Sequence, residues 1–431
     1  MPTAIPAVPT PRLNAAGAAK LQATLDAFSK RIPGCFLYVG TGEEILFKGM
    51  AGKYDMLEEG DDTRKVDNET VFWFASTTKL IAALQLIERG LLSFDTPVSQ
   101  FFDQVKPPFN IIRSVDPATK APAFEECNVE ITVKMLMTQT GGFGDEFGEK
   151  VRPWKAWTKV GKGFTNSCIK ENLLAVPPTE IPGTTYQYGN CSEWLGLVIQ
   201  SVTGLDLDDY FRANIFAPLG MEKTGFYPFD SPELAKDLMP LRWHNSAEMR
   251  KEKGEGEWVE LQGQQDILKL PRDRSKIEYP VAGGGIYSRP SEYHSLLRHL
   301  LHSYLHSSGS SPLALSTSSI ASLFTPQLPP GAHDGWAPYF RQKYKVSDPT
   351  HIDWSTGLSI LTIPEGEQLG GYGRFSGAAS WSGAPGIEYS MDPKGGIAWI
   401  CGTNFLPMAD EAVEELRTTL ERMVYELVEF E

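Results

Sequence analysis

Two blocks of strand-like sequence stand at opposite ends of this chain, and no other feature constrains its fold as much. CFLYVG (35–40) and EILFKGMAG (44–52) lie near the start. WSTGLSILTI (354–363), GAASWSG (377–383), GIEYSMDP (386–393) and GGIAWICGTNF (395–405) lie near the end. Their apolar, β-branched and aromatic content, punctuated by Gly and Pro, predicts consecutive antiparallel strands. The sequence between them is mostly helical in pattern: ITVKMLMTQTGG (131–142), CSEWLGLVIQSVTG (191–204) and LDDYFRANIFAPLG (207–220) each read as a short helix. Leu21, Leu25 and Phe28 fall at helical spacing within 13–31, Pro33-Gly34 stops that helix, another starts at Pro290, and a last one covers roughly 410–428. The simplest architecture is α+β: an antiparallel sheet covered by terminal helices, with a helical domain inserted. Residues 1–75 and 281–431 would form the sandwich domain and 76–225 the helical one. Residues 226–280, polar and rich in Pro, Lys and Glu, are expected to be an irregular loop or cap.

At 431 residues the chain is too long for one ordinary core. Its net charge of −14 makes nucleic acid or an anionic membrane a poor partner. No stretch approaches the ~20 apolar residues that cross a bilayer. MPTAIPAVPTPRLNAAG has no basic start followed by an apolar run, so no secretory signal is expected. The five cysteines are scattered, which fits reduced thiols in a cytoplasmic enzyme.

FWFASTTKLIAALQLIERGLL (72–92) carries the chemistry. A helix is expected over about 77–89, ended by Gly90. Ser76 and Lys79 then project from one face of its first turn. A helix N-terminus offers free N–H groups and partial positive charge, so the oxyanion of an ester formed on Ser76 would meet the serine's own N–H. Burial among Phe72, Phe74, Leu80 and Ile81 would lower the Lys79 pKa, and a neutral Lys79 could take the Ser76 proton. A second S-x-x-K, Ser167 to Lys170, runs into a polar loop and is assigned to chance.

The stretch FASTTKLIAALQLIERGLLSFDTPVSQFF resembles the nucleophile helix of the serine β-lactamase and penicillin-binding-protein superfamily. Its G-L-L-x-x-D-x-P-V continuation is similar to the class C and esterase branch. Tyr188-Gly189-Asn190 matches that branch's Y-x-N motif, and IFAPLGMEKTGF (215–226) and GGGIYSRPSEY (283–293) match further stretches. The resemblance covers about 20–430 and implies a β-lactamase/transpeptidase-like sheet. It implies that Tyr188 approaches the nucleophile and serves as general base, then as acid to the leaving group. Asn190 either caps the following helix or hydrogen-bonds the bound acyl amide or Lys79. A literal Lys-Thr-Gly at 223–225 follows a helix end and is rejected as the third motif. Trp381-Ser382-Gly383 matches better, with Trp381 where lactamases and peptidases carry a basic residue or His. Gly383 would let substrate approach the strand, and the Ala384 N–H would be the second oxyanion donor, beside that of Ser76.

An aromatic third motif suits the carboxylate of a penicillin poorly. It resembles the fungal lovastatin-pathway acyltransferase group, which implies transfer of an acyl group from a carrier-protein or coenzyme A thioester to an alcohol or amine. The alternatives are a serine esterase or lactam hydrolase, and a non-catalytic binding protein on the same fold. No G-x-S-x-G elbow, G-x-G-x-x-G, P-loop or paired C-x-x-C appears, so no cofactor is expected. His299, His302 and His306 share a helix face, but no carboxylate joins them at ligand spacing in the sequence. SLLRHLLHSYLH reads as an amphipathic helix, and no metal is expected.

Overall fold

The structure, a computed structural model, describes residues 10–60, 63–80, 82–261, 270–271, 273–306, 312–336, 348–364 and 373–430. Helix α1 (Ala15–Phe28) leads into the hairpin of β1 (Cys35–Gly40) and β2 (Ile45–Ala51). The short β3 (Phe72–Trp73) enters a 3-10 turn over Ala75–Leu80 and then α2 (Ala82–Glu88). A second hairpin, β4 (Phe109–Val115) and β5 (Pro122–Cys127), precedes α3 (Val133–Met137), α4 (Val151–Trp157), α5 (Lys170–Leu174), α6 (Cys191–Thr203) and α7 (Leu207–Phe211). The chain continues through α8 (Pro232–Asp237), β6 (Arg242–His244), α9 (Ala247–Lys253), β7 (Trp258–Glu260), β8 (Tyr287–Ser288), α10 (Pro290–His306) and α11 (Thr317–Ser322). It finishes with β9 (Ile352–Trp354), β10 (Ser359–Leu361), β11 (Ala379–Gly383), β12 (Ile387–Asp392), β13 (Ile397–Gly402), β14 (Phe405–Leu406) and α12 (Glu411–Leu427).

One sheet draws on both ends of the chain, in the order β2-β1-β13-β12-β11-β10-β9, and its neighbours run antiparallel. Its seam is the β1–β13 ladder, with Phe36 opposite Gly402 and Gly40 opposite Ala398. All six residues of β1 and of β13 are buried. Side chains alternate across a strand, so both faces must be covered. Phe36, Tyr38, Ala398 and Ile400 join the cluster that holds Leu297 and Leu300 of α10. Leu37, Val39, Ile397 and Trp399 join Leu21 and Leu25 of α1 and Leu416 and Leu420 of α12. Each buried Leu contributes about 1.5–3 kcal/mol relative to exposure. The N-cap Asp410, whose carboxylate accepts the Ala412 N–H, starts α12 where the sequence places it.

Two expectations are corrected, and one hairpin goes unannounced by the sequence. The helix expected over 77–89 begins instead as the 3-10 turn and becomes α-helical only from Ala82. The β4–β5 hairpin carries no clear strand signal, because its second strand, PAFEEC, is mostly exposed and holds two adjacent glutamates. Residues 226–280 are not simply irregular: β6 pairs with β7 and, in parallel, with β14, making a small separate sheet. Strands of three residues are too short to show alternation in sequence.

Between β12 and α12 lies a buried charge cluster. Arg374 donates to Glu421 at 2.5 and 2.8 Å and to Glu388 at 2.8 Å, and Arg417 stands 3.4 Å from Glu388. Removing one member strands an opposite charge in the interior. Glu421→Ala is therefore expected to cost about 3–5 kcal/mol, read as a lower midpoint in urea unfolding, against near neutrality for the exposed Glu415→Ala.

Candidate active site

The 3-10 turn that carries Ser76 is held on several sides. Phe74 donates its N–H to the Ile286 carbonyl at 2.9 Å, extending the pairing of β3 with β8. Thr77 Oγ1 donates back to the Phe74 carbonyl at 2.9 Å, and Thr78 Oγ1 to the Ala75 carbonyl at 2.6 Å. The Ile286 N–H donates to Thr78 Oγ1, and the Tyr293 hydroxyl to the Thr77 carbonyl at 2.7 Å. Burial pushes the Tyr293 phenol well up, which keeps it a donor. These bonds impose a φ of +45° on Ala75, a left-handed conformation that costs an alanine ~1–2 kcal/mol. Ser76, the next residue, is half-buried. Lys79 follows in the same turn, but its side chain lies outside the described residues. With three residues per 3-10 turn, positions 76 and 79 stand one above the other.

Strand β11 closes one side of this turn. A methyl added at Gly383 would stand 2.4 Å from the Phe74 carbonyl oxygen and 3.5 Å from Thr77 Cγ2. Only a glycine permits that approach. Trp381, on the same face of β11, is buried, and its ring meets Tyr188 at 5.2 Å between centroids. Ser382 pairs with Glu388 and, by alternation, points to the opposite face. Ala384, just past the strand, is half-buried.

The segment 188–190 is pressed onto 143–145. A methyl at Gly189 would stand 2.1 Å from the Phe143 carbonyl oxygen. Asn190 precedes α6, yet its side chain makes no capping bond. Its Nδ2 donates instead to the Gly144 carbonyl at 3.0 Å, so the capping alternative falls. Tyr188 is half-buried and lines a cavity of about 310 Å³ together with Asp145, Lys150, Glu180, Gln187 and Gly335. Burial raises the Asp145 carboxyl above its usual range, although it accepts the Phe147 N–H. Lys150 Nζ donates to the Thr179 carbonyl and to Glu180.

Contacts thus link Gly383 to the turn that carries Ser76 and Trp381 to Tyr188, while Asn190 is tied to Gly144 and Ser382 faces the other side of β11. The structure also adds residues that the sequence did not single out. Trp354 meets Trp381 edge-on at 4.6 Å, Trp336 stacks on Tyr186 at 4.1 Å, and Trp354 Nε1 donates to the Met137 carbonyl. Trp154 is buried in a satellite cluster and Trp157 is exposed. The five cysteines are free and buried. Among the described residues no helix is long and apolar enough to cross a membrane.

Comparison with known proteins decides the lineage. A profile of the Beta-lactamase family matches residues 19–422. The chain belongs to the Beta-lactamase family. Among its curated relatives in this family, monacolin J acid methylbutanoyltransferase of Aspergillus terreus is 28% identical over 366 residues, covering 81% of each chain. Lovastatin esterase of Penicillium rubens is 24% identical over 399 residues, covering 88% of this chain and 91% of its own. Simvastatin synthase from Aspergillus terreus superposes with a TM-score of 0.76 at 24% identity, covering 96% of this chain and 98% of that one. The fold is the β-lactamase/transpeptidase-like one, and the chain is a beta-lactamase-like enzyme with acyltransferase and esterase relatives.

Gly383→Ala is expected to destabilise the protein by about 1–3 kcal/mol, because the added methyl must push β11 off the turn. Urea unfolding measures this, and an unchanged midpoint would contradict the close approach.

Proposed function

We propose that the enzyme is an acyltransferase of secondary metabolism that carries its acyl group as an ester on Ser76. The observation that supports this reading is a pair of contacts along one face of β11: Gly383 lies against the Phe74 carbonyl of the strained turn that bears Ser76, and Trp381 meets the ring of Tyr188. The donor is a thioester, of a carrier protein or of coenzyme A, and the acceptor is an alcohol or amine on an apolar body.

In the first half-reaction Ser76 Oγ bonds to the thioester carbonyl carbon while its proton passes to a neutral Lys79. The N–H groups of Ser76 and Ala384 receive the oxyanion, each donor worth about 3 kcal/mol in the transition state. The C–S bond breaks, and the thiolate leaves with a proton returned through Tyr188. In the second half-reaction the acceptor hydroxyl gives its proton to the Tyr188–Lys79 pair and attacks the ester carbonyl. The product departs as an ester, and Ser76 regains its proton. Water in place of the alcohol gives the esterase reaction, a reading supported by the likeness to lovastatin esterase.

Incubation with a short-chain acyl thioester is expected to add one acyl mass to Ser76 in the intact protein, and Ser76→Ala to abolish both adduct and turnover. Full turnover by Ser76→Ala would end the proposal. Tyr188→Phe should lower turnover by about 10²–10⁴-fold while leaving the thermal midpoint near that of the parent. Offering the acyl-enzyme an alcohol in water and weighing ester against free acid then separates transfer from hydrolysis.

A further inference from the structure

We propose that His302, His306 and Glu43 form a surface site for a divalent late transition-metal ion of the Zn²⁺ type, which staples the β1–β2 turn to the end of α10. His302 and His306 stand one helical turn apart on α10, a spacing that places both rings on one face. Their ring centroids are 4.3 Å apart. The carboxylate that the local sequence lacks arrives from the turn between β1 and β2: Glu43 Oε1 lies 4.0 Å from His306 Nε2. One potential ligand atom from each of the three residues falls within 4.8 Å of the others. Ligands at the usual 2.0–2.2 Å around a tetrahedral ion stand about 3.4 Å apart, so the donors must close by roughly 1 Å. Two of them can move: the Glu43 side chain is largely exposed, and His306 is the last residue of α10.

The backbone around them is already docked. Thr41 Oγ1 accepts the N–H groups of Glu43 and Glu44, and Arg298 of α10 donates to the Thr41 carbonyl at 2.6 Å. A methyl at Gly42 would stand 2.6 Å from His302 Cβ, so the turn can rest on the helix only because residue 42 has no side chain. His302 Nδ1 is buried without a hydrogen-bond partner among the described residues. Two imidazoles and one carboxylate with a remaining open position suit Zn²⁺, and also Ni²⁺ or Cu²⁺, better than the oxygen-seeking Mg²⁺ or Ca²⁺.

The test titrates the whole metal-free protein with Zn²⁺ alone at pH 7.5, read by calorimetry and by thermal shift. One equivalent should bind per chain, and the thermal midpoint should rise, since binding favours the folded state. His302→Ala and His306→Ala should each weaken binding by about tenfold or more, Glu43→Gln should weaken it measurably, and His351→Ala, outside the cluster, should leave it unchanged. Because His302 is packed under Gly42, the His306→Ala and Glu43→Gln variants keep the test readable if His302→Ala folds poorly. Absence of Zn²⁺ binding by the parent, or binding that survives both His306→Ala and Glu43→Gln, overturns the site. Equal binding of Mg²⁺ would overturn the assignment of metal class.

Discussion

The ladder between β1 and β13 is the joint on which the rest of the molecule depends. It is where residues 36–40 meet residues 398–402, and it fixes two things at once. On one face it brings α1 and α12 together over a single apolar layer. On the other it sets α10 against the middle of the sheet. Strands β12 and β11 follow from β13 by register, Trp399 opposite Ser390 and Tyr389 opposite Trp381. The position of Gly383 beside the Phe74 carbonyl is thus inherited, strand by strand, from a contact made between the chain's two ends.

Against that fixed strand the turn at 74–78 has little freedom. The two threonines of STTK use their hydroxyls on carbonyls three residues back, and Ile286 and Tyr293 hold the same turn from neighbouring segments. Such bonding explains why a 3-10 turn forms where an α-helix is expected: Thr hydroxyls that bond local carbonyls compete with the helical ladder. It also explains how a left-handed Ala75 persists, since strain of this size survives only where the surroundings over-determine the backbone.

What the sequence reveals follows from what each element is asked to bury. Strands β1, β12 and β13 are covered on both faces, so their apolar runs are continuous and readable. Asp410 marks the start of α12 because its carboxylate caps it. The motif residues Ser76, Tyr188 and Trp381 are legible through resemblance, not through periodicity. By contrast, β6 pairs on one side with the neighbouring β7 and on the other with β14, more than a hundred residues downstream. Asn190 looks like a cap and bonds Gly144 instead, because Gly189 lets the chain lie on 143–145. Trp336 and Trp354 become part of the site wall only through tertiary contact with Tyr186 and Trp381. The approach of Glu43 to His306 is of the same kind: a turn and a helix end far apart in the chain.

The wall around Trp381 bears on what the proposed chemistry can accept. A lysine or histidinium at 381 would have to shed water among Trp354, Trp336 and Tyr188. Desolvating a charge costs several kcal/mol unless it is paired, while an aromatic face returns only about 2 kcal/mol. The strand position that could grip a substrate carboxylate therefore holds a neutral ring fixed by its neighbours. On the proposed reading, selection beside Trp381 works through shape and apolar contact, which reward an acceptor with a broad hydrophobic body. Such a body also displaces water from the acyl-enzyme, and dry surroundings favour attack by its hydroxyl over hydrolysis. On the proposed reading the same substitution thus governs two properties, loss of affinity for anionic lactam-type substrates and preference for transfer, because both depend on keeping charge and water away from the Trp381 end of β11.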